Sequence, residues 1–308
     1  MNDNEVIRFD DQVVVITGAG GGLGRAYAHL LAARGARVVV NDAGPAVDGA
    51  GVDRGPADAV VAEIRDSGGE AVANYDSVAS EQGGAAVVAA AIEHYGRLDG
   101  LIHNAGILRD RSFVKMRAED VDPVLDVHLK AAFFVGRPAY EQMKAQQYGR
   151  IVLTTSASGL FGTFGQSNYG AAKAGLFGLM RVLNTEAAGK DLRVNCIAPS
   201  ARTRMTEELL GPLSEQLDPK HVAPLVAYLC SRQCDFGGEA FSAGGGRYAR
   251  IFVGLTSGWY SGGELASVEN VAARMDRIMA TERYTIPASG MDELRIMLET
   301  FGIEMEAG

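Results

Sequence analysis

Residues 12–42, QVVVITGAGGGLGRAYAHLLAARGARVVVND, decide the fold. Gln12 to Ile16 is a β-branched apolar run, as expected for a strand buried on both faces. It runs into Thr17-Gly18-Ala19-Gly20-Gly21-Gly22-Leu23-Gly24. A helix follows, with Leu23, Tyr27, Leu30 and Leu31 on one face and Gly35 near its end. Strand, glycine turn and helix N-terminus leave backbone N–H groups pointing at a pyrophosphate with no side chains in the way. Gly18, Gly22, Leu23 and Gly24 are therefore candidate cofactor contacts. No Gly-Lys-Ser/Thr follows, which excludes a phosphate-transferring loop. Ala36 to Asn41 is a second strand, ending at Asp42. A carboxylate there accepts hydrogen bonds from the adenosine ribose hydroxyls and repels a 2′-phosphate, which argues for NAD over NADP.

The alternation continues outward. A loop of small residues, 43–55, precedes a helix over 56–67 with Pro56 at its start, then a strand over 70–75 followed by Asp76-Ser77, where an acid meets the adenine amino group. A helix over 80–96 and a strand over 98–103 lead to Asn104-Ala105-Gly106, suited to backbone passing close to the cofactor. Residues 121–146 read as one long helix with a kink at Pro138, and further strands are expected over 192–197 and 239–242. The polar, proline-broken stretch 203–219 lies between them, before a helix over 221–232. Strands and helices in this order imply an α/β fold with a parallel, doubly wound sheet.

The chemistry concentrates in residues 152–175, VLTTSASGLFGTFGQSNYGAAKAG. Tyr169 and Lys173 are four apart, so on a helix they share a face. Ser156 lies at the end of the preceding strand. Phenol, ammonium and hydroxyl then reach one substrate oxygen. A tyrosine of pKa about 10 is a poor base near neutrality. A cation at ~4 Å in an effective dielectric of ~20 favours the phenolate by about 4 kcal/mol, roughly three pKa units. Y-x-x-x-K alone recurs by chance on amphipathic helices, so the other motifs carry the weight.

With T-G-A-G-G-G-L-G at 17–24, Asp42, N-A-G at 104–106, Ser156 and Y-G-A-A-K at 169–173, the chain resembles the short-chain dehydrogenase/reductase family over roughly residues 10–245. The resemblance implies a Rossmann-type doubly wound parallel sheet and a nicotinamide cofactor held by Gly18, Gly22, Leu23, Gly24, Asp42, Asp76, Ser77, Asn104, Tyr169 and Lys173. It also implies Tyr169 as general base, Lys173 lowering its pKa and Ser156 positioning the substrate oxygen. Stretch 203–219 is where the family carries its substrate lid, and Thr203 is placed to reach the nicotinamide. Narrower stretches, VVVND (38–42), NAGILRDRSF (104–113), SASG (156–159) and FGQSNY (164–169), are similar to the (3R)-hydroxyacyl-CoA dehydrogenase unit of peroxisomal multifunctional enzymes and its bacterial relatives. That branch implies NAD-dependent oxidation of a (3R)-3-hydroxyacyl-CoA to the 3-keto thioester. Its rivals are a 17β-hydroxysteroid dehydrogenase and, from another class, a non-catalytic NAD-binding regulator. His128 departs from the broad family, which places there an asparagine that completes a proton relay. A relay role and simple packing both stand for it.

Composition bounds the rest. At 308 residues and 47% hydrophobic the chain builds a sizeable core. A net charge of −9 argues against nucleic acid or a membrane surface as partner. The basic cluster Arg109, Arg111, Lys115 and Arg117 meets coenzyme A phosphates or is a solvated, salt-bridged face; its interleaved acids favour the second. Three cysteines make no disulfide framework, and no histidine or carboxylate completes a metal set around Cys230 and Cys234. Neither MNDNEVIRFDD nor EMEAG reads as a targeting address, so the expectation is cytoplasmic. We expect two parts: residues 1–248, the NAD-binding catalytic domain, and 249–308, a C-terminal helical extension. Two amphipathic helices in the extension, around Val268–Met279 and Leu294–Phe301, are too short for a core of their own. They are expected to pack on the main domain or support a homodimer.

Overall fold

The buried apolar runs form the strands that their composition demands. The computed structural model describes residues 6–44, 46–51, 53–203 and 215–303. Strands β1 (Val13–Thr17), β2 (Arg37–Asn41), β3 (Glu70–Asn74), β4 (Gly100–His103), β5 (Tyr148–Thr154), β6 (Asp191–Pro199), β7 (Ala240–Gly244) and β8 (Arg247–Ile251) make one sheet. Its order is β3-β2-β1-β4-β5-β6-β7-β8. Every pairing from β3 through β7 is parallel. β8 lies outside the expectation. It follows β7 through Gly245 and Gly246, with φ of 56° and 78°, the positive values a two-residue hairpin requires, so it closes the edge antiparallel.

The helices are α1 (Gly22–Ala33), α2 (Gly55–Asp66), α3 (Glu81–Tyr95), α4 (Ala118–Leu125), α5 (Ala131–Gln146), α6 (Ala157–Phe161), α7 (Ser167–Glu186) and α8 (Ala223–Cys230). α1 packs with α2 and α8, while α3 packs on α5. The core joins Val14, Ile16, Val38 and Val40 of the sheet to Tyr27, Leu31 and Ile64 of the helices. This is the Rossmann-type, doubly wound α/β architecture. Chain order reverses at β1, whose neighbours are β2 and β4, and a crevice opens there at the carboxyl ends of the strands.

Two expectations for the helices are corrected. The long helix of 121–146 begins earlier, at Ala118, where Glu119 and Asp120 complement the first turn. It is interrupted at Asp126–Lys130 by a π-helical turn, so the irregularity precedes Pro138, which sits inside α5. The extra residue in that turn re-aims the side chains around His128.

The chain divides into two compact units, residues 1–250 and 251–308. In the second, two-residue strands β9 (Leu255–Thr256) and β10 (Tyr284–Thr285) pair antiparallel. Phe252 stacks on Tyr284 with centroids 5.6 Å apart. The helix expected over 268–279 is two short ones, α9 (Val268–Ala272) and α10 (Met275–Met279), because Arg274 leaves helical geometry at φ −114°, ψ 5°. α11 (Gly290–Phe301) starts at a capping box in which Asp292 accepts from the Ser289 amide at 3.0 Å. Among the described residues, no helix is long and apolar enough to cross a membrane.

Candidate active site

The glycine turn is held open from below by Thr17 and Asn104. The Thr17 hydroxyl accepts from the amides of Asn104 (3.0 Å) and Ala105 (3.1 Å). The Asn104 side-chain amide donates to the carbonyls of Thr17 (3.2 Å) and Gly18 (3.1 Å). Asn104 thus staples β4 to the turn after β1. Two positions tolerate no side chain: a Cβ on Gly24 would lie 2.2 Å from the Gly18 carbonyl oxygen, and Gly18 has φ 65°.

Asp42 is caught between two backbone donors. Its carboxylate accepts from the Gly20 amide at 2.8 Å and the Gly44 amide at 2.7 Å, which fixes its direction. Gly20 was not singled out in the sequence, since one glycine of three in a row carries no separate signal. Its role follows only from the approach of Asp42 and Pro56, either of which a Cβ there would strike. Asp76 and Ser77 line the same cavity. Asn74 donates to the Asp76 carboxylate at 2.7 Å, and buried Asn41 donates to the Asp76 carbonyl at 2.9 Å.

The loop after β2 crosses the crevice. The Leu108 amide donates to the Val47 carbonyl (3.0 Å), and Arg109 Nε donates to the Asp48 carbonyl (2.8 Å). The basic cluster is largely consumed inside the chain. Arg109 also donates to the Glu119 carbonyl, and buried Asp120 takes both Arg111 (2.8 Å) and Arg117 (3.5 Å). Those two guanidinium groups hold the Asp120 carboxyl below its ordinary range against the opposing effect of burial.

The cavity so enclosed has a volume of about 590 Å³, within the usual range for a small-molecule site. Gly18, Gly22, Leu23, Asp42, Asp76, Ser77, Asn104, His128, Ser156, Tyr169 and Lys173 all line it. Of the sequence candidates only Gly24 stands behind the wall, where its missing side chain lets the turn close. Thr203 reaches the lining beside Gly22, and residues 204–214 of the expected lid lie outside those described. Three features fit a nicotinamide dinucleotide: side-chain-free backbone at the start of α1, a fixed carboxylate at the end of β2, and room between them.

Lys173 is buried, and its ammonium donates to the Thr154 carbonyl at 2.5 Å, at the end of β5. Burial lowers its pKa to about 7. The ammonium lies 5.5 Å from the centre of the Tyr169 ring. Burial pushes the half-buried Tyr169 phenol above its ordinary value, and only a hydrogen bond with Ser156 opposes this. The lowering expected from Lys173 is not realised in the protein alone, because that cation is aimed at Thr154 and is partly neutral near pH 7.

His128, carried by the π-helical turn, is 1% exposed and meets Tyr169 edge-on, with centroids 5.1 Å apart. Its Nε2 lies 2.8 Å from the Ile107 carbonyl oxygen and 3.1 Å from the Ile107 amide nitrogen. Its Nδ1 is buried with no hydrogen-bond partner. Burial first, then Lys173, holds the imidazole neutral, well below its ordinary pKa. A Cβ on Gly106 would strike this ring, which explains the glycine of N-A-G. His103, which the sequence reading passed over, supports the turn: its Nε2 donates to the His128 carbonyl at 2.9 Å.

Residues 12–211 match the family model for short chain dehydrogenase. The chain belongs to this family. It is an oxidoreductase of the short-chain dehydrogenase/reductase family, acting on CH–OH groups with a nicotinamide cofactor on a small-molecule substrate. It is 51% identical over 269 residues to a short-chain type dehydrogenase/reductase of Mycobacterium tuberculosis, covering 87% of this chain and 94% of that one. It is 52% identical over 246 residues to mouse peroxisomal multifunctional enzyme type 2, covering 80% of this chain but only 33% of that protein. The solved full-length Drosophila melanogaster peroxisomal multifunctional enzyme type 2 superposes with a TM-score of 0.81 at 37% identity, over 96% of this chain and 50% of that one. This short-chain dehydrogenase is thus close to the dehydrogenase unit of those larger enzymes and spans a third to a half of their length.

The buried histidines make stability pH-dependent. Burial lowers the His103 pKa from 6.5 to about 4. Between those values the unfolded chain binds a proton that the folded chain refuses. The stability is therefore full above pH 6.5 and is lost as pH falls toward 4, on the order of 3 kcal/mol for His103. Urea unfolding at about pH 7 and about pH 4.5 should show this loss, and His103→Gln should flatten it. An unchanged slope in the variant would contradict the assignment.

Proposed function

We propose that the chain is an NAD-dependent dehydrogenase that oxidises the 3-hydroxyl of a (3R)-3-hydroxyacyl-CoA to the 3-keto thioester. The observation that carries the reading is the meeting of Ser156, Tyr169 and Lys173 in the cavity that Asp42 closes at its far end. Similarity to peroxisomal multifunctional enzyme type 2, and to the protein named hydratase-dehydrogenase-epimerase in Saccharomyces cerevisiae (48% identical), supports the thioester. A carboxylate pinned by the Gly20 and Gly44 amides supports NAD over NADP, since a 2′-phosphate would meet a fixed negative charge.

The bound cofactor supplies the hydride acceptor. Ser156 orients the substrate hydroxyl, and its own hydroxyl is positioned by accepting from the Ser158 amide at 3.1 Å. Tyr169 Oη takes the hydroxyl proton as general base. Lys173 would stabilise the phenolate that acts as that base and bond the ribose, while Gly18, Gly22, Leu23, Asp42, Asp76, Ser77 and Asn104 would line the dinucleotide. His128, neutral and with an unpartnered Nδ1, would hold a water beside Lys173 through which protons leave the site. Three buried, unpaired thiols, Cys196, Cys230 and Cys234, accord with a reducing, cytoplasmic setting. Exposed Val268, Leu294, Met297 and Phe301 support a homodimer.

NADH formation from (3R)-3-hydroxyacyl-CoAs, their (3S) isomers and free 17β-hydroxysteroids, each with NAD or NADP, tests this reading. Turnover of the (3R) thioesters with NAD is expected. Tyr169→Phe should lose about a hundredfold to ten-thousandfold in kcat with NAD binding retained. Turnover of free steroids alone would remove the thioester, and an active Tyr169→Phe variant would remove the base.

His128 has its own test. His128→Leu should lower kcat about tenfold or more and move the pH profile upward, while His128→Asn restores both. Equal loss in both variants with an unmoved profile would leave the imidazole a packing group.

A further inference from the structure

Asn168, next to Tyr169 in the first turn of α7, is 4% exposed. A helix begins with amides that have no carbonyl one turn back to donate to. Gln166, the residue before α7, supplies no side-chain cap, and its own amide group donates to Asp110 at 2.7 Å. Asn168 fills that gap from inside the helix, its Oδ1 accepting from the Tyr169 backbone amide at 2.7 Å. Its Nδ2 donates twice, to the Arg109 carbonyl at 2.9 Å and to the Asp120 carbonyl at 2.7 Å. Reversing the side chain would set its NH2 group against the Tyr169 amide, so the three bonds fix its orientation.

Both acceptors are themselves anchored. Arg109 donates to the carbonyls of Asp48 and Glu119, which ties it to the loop after β2 and to α4. Asp120, in the first turn of α4, is the buried acid between Arg111 and Arg117. One side chain therefore joins the backbone of Tyr169 to the segment after β4 and to α4 together. The ring itself is less firmly held: Tyr169 is only partly buried, at the margin of a cluster of Ile107, Val124 and Ala172. A reacting group misplaced by about 1 Å costs on the order of a hundredfold in rate.

We propose that Asn168 is a positioning residue, holding the backbone of Tyr169 so that the phenol oxygen stands where the substrate hydroxyl arrives. This rests on the reading of Tyr169 as the base. Asn168 does not line the cavity, so it acts through Tyr169 rather than on substrate or cofactor. The Asp120 network, which the chemistry does not otherwise use, is then the far anchor of the base.

The test uses the full chain with Asn168→Ala, Asn168→Asp and Asp120→Asn. Steady-state turnover of (3R)-3-hydroxybutyryl-CoA with NAD, calorimetric NAD binding and the thermal midpoint are measured for each. Tyrosinate absorbance of the NAD complex is followed in parallel, referenced to Tyr169→Phe. Asn168→Ala should lose about tenfold to a hundredfold in kcat, with KM and NAD affinity held within about twofold. Its Tyr169 signal should emerge about one pH unit or more above that of the parent. Asn168→Asp keeps the acceptor for the Tyr169 amide but sets a carboxylate against two carbonyls. Its activity relative to the parent should rise as pH falls and the protonated carboxyl regains a donor. Asp120→Asn, which loosens the far anchor without altering α7, should show the alanine pattern more weakly. A lower thermal midpoint with kcat and titration unchanged would make Asn168 a packing residue and overturn the proposal. Equal losses in kcat and NAD affinity would overturn it as well. A parent that turns over no thioester refutes that substrate alone, because the tyrosinate titration still decides the role of Asn168. A parent with no tyrosinate signal would remove the base, and the proposal with it.

Discussion

The ammonium of Lys173 against the carbonyl of Thr154 is the contact on which the site depends. An amine withdrawn from water is costly unless it is bonded, and the end of β5 supplies the acceptor. The bond fixes α7 against the sheet at the point where Ser156 leaves β5. Thr155, whose hydroxyl donates to the Lys173 carbonyl at 2.7 Å, repeats the tie one residue on. Gly159 lies so close to Lys173 that a Cβ would strike it, so α6 packs directly on α7 there. Hydroxyl, phenol and ammonium are brought together by packing that the sheet enforces.

The same burial sets the chemistry of the resting site. It moves Tyr169 up, Lys173 down to about 7 and His128 down, all toward their neutral forms. The polar atoms left over, His128 Nδ1 and Thr154 Oγ1, are both buried without partners. At the other end Asp42 keeps its carboxylate beside two amides. The site is thus polarised along its length: a fixed anion where the adenosine ribose is expected, and proton-holding groups where the substrate is expected.

Much of this was legible because the signals are local. The run QVVVI, the glycines after it and the carboxylate at Asp42 specify strand, turn and strand end within one βαβ unit, and periodicity finds such units. The spacing of Tyr169 and Lys173 requires only a helix. What escaped depends on contacts distant in sequence. Gly20 matters because Asp42 approaches it, His103 because it braces the carbonyl of His128, and the π-helical turn because Ile107 holds the ring it re-aims. Asp120 reads as one acid among several, yet it is the buried anchor of two arginines. β8 was missed because its hairpin turn, Gly245-Gly246, sits among other glycines, and its half-exposed strand has no long apolar run.

Direct titration of Tyr169, followed by tyrosinate absorbance in the protein with and without NAD and referenced to Tyr169→Phe, tests the account at its centre. Without the cofactor Tyr169 should stay a phenol beyond its ordinary range. With NAD bound, a tyrosinate signal absent from the variant should emerge near neutral pH. A Tyr169 that titrates identically in both states would contradict the assignment of this residue as the base.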